Sequence, residues 1–310
     1  MDLKQLEYIL AIDEYGNISR AAEALFISQS ALNQQLIHLE KELGMKLFHR
    51  DKRTLQPTPA GKIYLENARE ILRIKRNTYS QLQDLADSTI GELRLGLTWE
   101  HGVDMFTEIL PEFMKKYPRF SVKMFERSVA QQHQMIISDR LDLGFVMIQP
   151  GNRIDANYIP VCHEEMLLAV PRNHPLAKMA APVGLPLTHI SLSLFKDDLF
   201  SLLYQGSTMR AIVDSQFSIA DFKPHILFET SMNQVLHKMV SRGLCCAIFP
   251  QSYAVPSDKV ACFRLPNEPG WDWCLVYPKG IHPTAACSDL IQLAREYGQK
   301  KEKFFQISLS

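Results

Sequence analysis

The sequence predicts an N-terminal all-α unit that includes one long helix, followed by a C-terminal α/β domain. Two short helical segments separated by a tight turn occupy residues 17–48. Residues 62–86 contain neither glycine nor proline, so a long helix is expected there. From Glu92 onward, apolar stretches and helical stripes alternate, which predicts strands and helices in turn. A chain of 310 residues accommodates two or more domains.

The N-terminal helices are bounded by residues that favour helix ends. Gly16 is predicted to end a first helix over residues 3–15 in the left-handed conformation. Ser19 and Ser28 are predicted N-caps of a second and a third helix, because a hydroxyl can accept from a free amide of the first turn. Phe26 and Ile27, in the turn between these two helices, are expected to pack between them.

Uncharged hydrogen-bonding side chains cluster at the start of the third helix. Such groups near a helix N-terminus can read base edges in the major groove of DNA. The same pattern also fits the solvated side of an amphipathic hairpin in an ordinary helical domain, and spacing alone leaves both interpretations open. The candidate base-reading residues are Ser28, Gln29, Ser30, Asn33 and Gln34.

The charge balance restricts how this chain can bind nucleic acid. Its 34 basic and 34 acidic residues give a formal net charge of zero, so no bulk attraction to phosphate is expected. A local patch must supply the attraction, and Arg50, Lys52 and Arg53 form one around Asp51. These cations are predicted on a hairpin tip, or wing, where they can hold phosphates beside a groove. The alternative is a solvated loop.

A dense set of short motifs runs through the first sixty residues. They are Leu3-x-x-Leu6, Ser19-x-Ala21-Ala22, Leu25-x-x-Ser28-Gln29-Ser30-Ala31-Leu32, Leu39-Glu40, Leu43-Gly44-x-x-Leu47-Phe48-x-Arg50 and Thr58-Pro59-Ala60-Gly61. The set resembles the N-terminus of LysR-type transcriptional regulators, and a weaker resemblance continues over the remaining chain. It implies a winged helix-turn-helix domain over residues 1–58 whose partner is double-stranded DNA with a two-fold-related operator.

The long helix carries an interrupted apolar seam with heptad-like spacing. A helix of this length cannot bury its stripe alone, so it pairs with a second copy or packs against its own C-terminal domain. The resemblance favours a dimerising linker helix over residues 59–88, with a homodimer or homotetramer as the assembly and RNA polymerase as a candidate partner. The seam residues are Tyr64, Ala68, Ile71, Lys75, Thr78, Leu82 and Leu85.

The C-terminal part is predicted to contain right-handed βαβ units and a parallel sheet. Two separate strands are expected over residues 157–161 and 165–170. The resemblance implies a two-lobed, periplasmic-binding-protein-like effector domain over residues 91–310. Lobe I would then comprise residues 91–161 and 267–310, and lobe II residues 162–266.

A small-molecule effector is the expected ligand of this domain. Ligands of open α/β sheets sit beyond the carboxyl ends of strands, beside helix N-termini. Hydroxyls at such positions favour a small anion such as a carboxylate, although Ser and Thr also cap helices without binding any ligand. The candidate effector-binding residues are Thr98, Trp99, Ser128, Met147, Ser207 and Thr208.

Signals for other function classes are weak. The sequence contains no glycine-rich phosphate loop, H-E-x-x-H or G-x-S-x-G motif, so no enzymatic activity, cofactor or metal is expected. A LysR-type redox sensor is the alternative function, but the six cysteines lack C-x-x-C spacing and none lies within residues 195–210, where peroxide-sensing relatives carry theirs. Without a signal-like or membrane-spanning apolar run, a cytoplasmic protein with no membrane partner is expected.

Overall fold

The computed structural model describes residues 2–49, 54–85, 90–182, 185–254 and 258–308. They form two compact units, Met1–Ser88 and Thr89–Ser310. Within these described ranges, no helix combines the length and the apolar character that crossing a membrane requires.

The first unit is a helical bundle with a two-stranded hairpin. Helix α1 ends at Gly16, whose φ of +56° is the predicted left-handed cap. The core lies between α1, α3 and the hairpin and includes the buried side chains of Leu32, Leu36 and Phe48. Its elements are α1 (Leu3–Tyr15), α2 (Ile18–Ala24), α3 (Gln29–Leu43), β1 (Phe48–His49), β2 (Gln56–Pro57) and α4 (Pro59–Leu85).

Two predictions about the turn regions of this unit are wrong. Asn17, not Ser19, is the N-cap of α2: its Oδ1 accepts from the amides of Ser19 and Arg20 at 2.8 and 3.2 Å. Phe26 does not pack between the helices, because its positive φ of 56° turns the side chain outward and leaves it 96% exposed. Ile27 packs against the core, as predicted.

Helix α4 begins as predicted, with the Thr58 hydroxyl accepting from the Gly61 amide at 3.0 Å. The first half of its predicted seam serves its own unit, since Tyr64 packs against the core and Lys75 lies 3.6 Å from Glu7 of α1. These contacts take up part of the seam within the first unit, and pairing of α4 with a second copy stays a prediction. In the described part of α4, the exposed apolar side chains are Ile63, Ile74, Tyr79 and the seam residue Leu82.

The second unit alternates strands and helices around a seven-stranded sheet with the order β10-β6-β11-β5-β3-β4, with β9 also pairing to β6. Strands β7 and β8 form a separate parallel pair. The elements are β3 (Ile90–Leu97), α5 (His101–Lys116), β4 (Arg119–Glu126), α6 (Val129–Ile137), β5 (Leu143–Ile148), β6 (Ala156–Pro171), β7 (Leu199–Leu203), α7 (Thr208–Ile219), β8 (His225–Thr230), α8 (Asn233–Ser241), β9 (Ala247–Pro250), β10 (Val260–Arg264), β11 (Gly270–Pro278) and α9 (Ala285–Ser308).

Strand β6 connects two groups of strands. Its first part, Ala156 to Glu165, pairs with β11, which together with β5, β3 and β4 makes the first strand group. Its second part, Met166 to Pro171, lies between β9 and β10 and makes the second strand group. The prediction of two separate strands is wrong, because pairing with β11 keeps the intervening residues extended.

The prediction of a parallel sheet is correct only for part of the molecule. Strand β3 runs parallel to β4 and β5, as expected for βαβ units. Strand β11 is antiparallel to both β5 and β6, and β6 is antiparallel to β9 and β10. The strand β10 was not predicted.

Candidate functional sites

The candidate base-reading side chains lie at the start of α3. Ser28 is the N-cap, with its Oγ accepting from the Ala31 amide at 3.2 Å. Gln29, Ser30 and Gln34 are exposed and Asn33 is half-buried, whereas the opposite stripe of the helix is buried in the core. The helix therefore presents an uncharged hydrogen-bonding surface at its positive end.

The hairpin beside α3 supplies the stem of the predicted wing. Phe48 pairs with Pro57 and His49 with Gln56 in an antiparallel ladder. The three cations expected at the tip, Arg50, Lys52 and Arg53, lie outside the residues that the structure describes.

Two of the candidate effector-binding residues are in direct contact. The Thr98 hydroxyl, just after β3, donates to the Met147 sulfur at 3.0 Å. Met147 is buried, whereas the adjacent Trp99 is 56% exposed. A thioether is a weak acceptor, so the Thr98 hydroxyl keeps most of its capacity to bind a stronger one.

The remaining candidate hydroxyls lie at helix starts. Ser128 caps α6 and Ser207 caps α7, accepting from the amides of Gln131 and Arg210 at 3.3 and 3.1 Å. Thr208 is the first residue of α7 and is half-buried. Both serines thus have a structural role whether or not they contact an effector.

A buried carboxylate that the sequence did not reveal lies where the two strand groups meet. Glu164 in β6 is 0% exposed, and its carboxylate accepts from Trp271 Nε1, Trp273 Nε1 and the Ser252 amide, each at 2.8 Å. Burial by itself raises the pKa of Glu164, but His101 at 3.3 Å and these hydrogen bonds outweigh it and lower the pKa below the ordinary value. The sequence signals were the polar residues Cys162-His163-Glu164 within an apolar strand and the pair of tryptophans.

Burial raises the thiol pKa of Cys162, Cys245, Cys246, Cys262 and Cys274 and disfavours their thiolates. Burial raises the pKa of Cys246 to about 12 and that of Cys274 to about 11. Ligand atoms of His174, Asp198 and Cys246 lie within 4.8 Å of one another. His174 Nδ1 accepts from the Leu176 amide, so Nε2 carries the proton and donates to Asp198 at 3.1 Å. This protonated nitrogen is not available to a metal ion.

Two family models match this chain. The model described as "LysR substrate binding domain" matches residues 86–299, and the model described as "Bacterial regulatory helix-turn-helix protein, lysR family" matches residues 3–62.

Individual proteins are similar over nearly the whole length. The uncharacterized HTH-type transcriptional regulator YcgK of Bacillus subtilis (strain 168) is 26% identical over 307 residues, covering 96% of this chain and 94% of the relative. The hydrogen peroxide-inducible genes activator of Dickeya chrysanthemi is 27% identical over 311 residues, 96% of each chain. A full-length OxyR variant from Pseudomonas aeruginosa has the same fold, with a TM-score of 0.68 at 21% identity over 95% of this chain and 98% of that one.

Proposed function

Because this chain belongs to the LysR family of bacterial transcriptional regulators, we propose that its α3 helix reads a two-fold-related operator while a small carboxylate between its strand groups modulates activity. Regulators of this family bind DNA operators as oligomers together with small-molecule effectors. The proposed division is a DNA-binding domain over residues 1–58, a linker helix over 59–88 and an effector domain over 91–310. Within the effector domain, residues 91–161 and 267–310 form lobe I and residues 162–266 form lobe II. A cytoplasmic, non-enzymatic homodimer or homotetramer is part of the same proposal.

The observation that carries the DNA proposal is the exposed, uncharged N-terminal surface of α3. Gln29, Asn33 and Gln34 can each donate and accept hydrogen bonds, as the edges of bases require. Arg50, Lys52 and Arg53 would hold phosphates and carry little sequence information. With no net charge on the chain to assist them, a single copy should bind weakly, so occupancy of the operator depends on oligomers.

Selection from random duplexes tests this division of roles. Asn33→Ala and Gln34→Ala should change the selected sequence, whereas Arg50→Ala or Arg53→Ala should weaken binding to all duplexes and reduce the salt slope by about 1. Gln35→Ala is the matched control, because Gln35 is exposed on the opposite flank of α3 and should leave selection unchanged. An unchanged selected sequence for both Asn33→Ala and Gln34→Ala contradicts the proposed reading surface.

The observation that carries the effector proposal is the weak acceptor opposite Thr98. A carboxylate oxygen is a stronger acceptor than the Met147 sulfur and would take over the Thr98 hydrogen bond. Trp99 provides an exposed ring for stacking, and Ser128, Ser207 and Thr208 provide further hydroxyls.

A thermal-shift screen of small carboxylates and aromatic acids tests the effector proposal. We expect at least one acid to raise the melting temperature of the full chain, and we expect Thr98→Val or Thr208→Val to abolish that shift. Thr107→Val on α5 removes an exposed hydroxyl that donates to the Asp104 carbonyl, and it should preserve the shift. A shift that persists in both Thr98→Val and Thr208→Val places the ligand elsewhere.

Redox sensing by the cysteines is the less supported alternative. One similar protein is named as a peroxide-inducible activator. The raised pKa values of Cys246 and Cys274 disfavour thiolates at neutral pH. Peroxide should therefore produce no disulfide that changes DNA binding, as measured by mass spectrometry alongside gel shift.

A further inference from the structure

The carboxylate of Glu100, which follows Trp99 in the chain, contacts the first turn of α8. Its Oε2 accepts from the Asn233 amide at 3.1 Å and from Asn233 Nδ2 at 2.9 Å, and its Oε1 accepts from the Gln234 amide at 3.3 Å. Helix α8 lacks a cap of its own, since Met232 at the N-cap position makes no side-chain hydrogen bond to it. Glu100 therefore supplies the anionic cap of a helix that begins 133 residues later.

This contact joins the two strand groups. Glu100 lies between β3 and α5, and β3 lies between β5 and β4 in the first strand group. Helix α8 packs against β9 and β6, which belong to the second strand group. The hydrogen bonds of Glu100 therefore link the first strand group to the second.

The backbone of Glu100 is strained to make the contact. Its φ of +64° and ψ of −92° are costly for a residue with a Cβ, and such conformations persist where the surroundings enforce them. Tyr253 from the turn after β9 also contacts this carboxylate. Burial, and after it the charge and hydrogen bond of Glu100, raise the pKa of Tyr253. Strain together with several donors indicates that the position of this carboxylate is specified by the fold.

The start of α8 carries one further polar group besides the donors that Glu100 uses. Asn233 is 5% exposed, and in the described part of the chain its Oδ1 has no hydrogen-bond partner. A buried amide oxygen without a hydrogen-bond partner is costly, and folded proteins rarely leave one unpaired. The Oδ1 of Asn233 therefore needs an explanation beyond packing. This helix start thus has donors that bind a carboxylate, together with an unused acceptor beside them.

We infer that Glu100 is a built-in occupant of the effector cleft, holding the two strand groups together until a small-molecule carboxylate displaces it from the start of α8. The inference rests on the proposed function, since it assumes that the effector binds in this cleft. It specifies the regulation of that site: a carboxylate effector competes with Glu100, whereas a neutral ligand beside Trp99 does not.

Chemical rescue tests the inference in the full-length protein, with acetate as the probe. Removing the carboxylate with Glu100→Ala should lower the melting temperature by about 3–6 °C. Millimolar sodium acetate should then raise the melting temperature of this variant more than sodium chloride at equal ionic strength, and it should not do so for the wild type. Glu112→Ala, on the exposed side of the same helix α5, should match the wild type in both measurements.

Two further variants keep the test decisive. Glu100→Asp keeps the charge but shortens its reach, so it should lose stability. Glu100→Gln fills the space with an amide whose NH₂ faces other donors, so it should lose stability without rescue by acetate. Wild-type melting of Glu100→Ala, or equal responses to acetate and chloride, would overturn the inference.

The outcomes also separate this inference from the proposed effector site. If an acid shifts the wild type through Thr98 while Glu100→Ala shows neither destabilisation nor rescue, the effector site stands and the inference fails. If acetate restores the melting temperature of Glu100→Ala but no acid gives a shift that depends on Thr98 or Thr208, the start of α8 is supported as an anion position. The proposed effector site is then contradicted.

Discussion

Two buried glutamates, one in each unit, are held by different kinds of contact. Glu40 of α3 is 3% exposed, and its carboxylate accepts from the Leu47 amide at 2.9 Å and from Lys46 Nζ at 2.7 Å. Glu164 of β6 is 0% exposed and accepts from donors 88 to 109 residues away. The donors to Glu40 are close to it in sequence, whereas those to Glu164 are brought together only by the assembled fold. Local sequence can therefore indicate the contacts of Glu40 but not those of Glu164.

The two carboxylates also differ in whether water can reach their hydrogen-bond donors once the carboxylate is removed. The Lys46 side chain is 64% exposed, so water can solvate its ammonium group. The indole N–H groups of Trp271 and Trp273 are buried and lose their acceptor outright. We therefore expect Glu164 to contribute more to stability than Glu40.

The largest predicted effect is that of Glu164→Ala. It leaves two indoles and the Ser252 amide without their acceptor, and we expect it to lower the free energy of unfolding by about 3–5 kcal/mol. Denaturant unfolding followed by tryptophan fluorescence measures this directly, because all three tryptophans lie in the second unit. A loss below about 1 kcal/mol, the size expected for an exposed pair, contradicts the distinction between the two glutamates.

Acid titration sharpens the same prediction. The folded pKa of Glu164 is lowered, so its contribution is complete above the ordinary glutamate pKa and is lost as the pH falls through the lowered value. Glu164→Gln does not titrate at this position. The stability difference between wild type and Glu164→Gln should therefore shrink on acidification below about pH 4.5. A constant difference indicates that the charge of Glu164 contributes nothing.

Glu40→Ala should have an intermediate effect, confined to the first unit. Loss of the acceptor for the buried Leu47 amide should cost about 1–3 kcal/mol. Lys46→Ala, which removes only the exposed partner, should cost less than about 1 kcal/mol. Hydrogen exchange of the α3 amides measures both variants. Equal losses of stability in Glu40→Ala and Lys46→Ala would show that Glu40 stabilises the unit through its ion pair and not through the Leu47 amide.

The same contrast explains which parts of the fold the sequence predicts. The fold class, with a helix-turn-helix unit and a two-lobed α/β domain, is confirmed. Helix α1 has the predicted bounds, because its periodicity and the Gly16 cap define it within the segment. Strand β6 was predicted as two pieces because Cys162-His163-Glu164 interrupts its apolar pattern. The indoles of the distant β11, the Ser252 amide and His101 together make a buried glutamate acceptable there.

The candidate sites also differ in whether their residues are close together in the sequence. The polar start of α3 could be identified from residues within one helix, and its role in base reading stays a prediction. The contact of Glu100 with α8 could not be identified, because no local pattern marks a glutamate that caps a helix 133 residues later. Contacts between distant segments are the part that sequence reasoning misses.

The smallest predicted effect concerns the N-cap of α2. Asn17 and Ser19 are both good capping residues, two positions apart, and only the hydrogen-bond geometry selects Asn17. Asn17→Ala should destabilise the first unit by about 1 kcal/mol. Ser19→Ala should stay within about 0.5 kcal/mol, since Ser19 is exposed in the first turn of α2. Hydrogen exchange of the α2 amides compares the two variants, and a larger loss for Ser19→Ala would restore the cap that the sequence alone suggested.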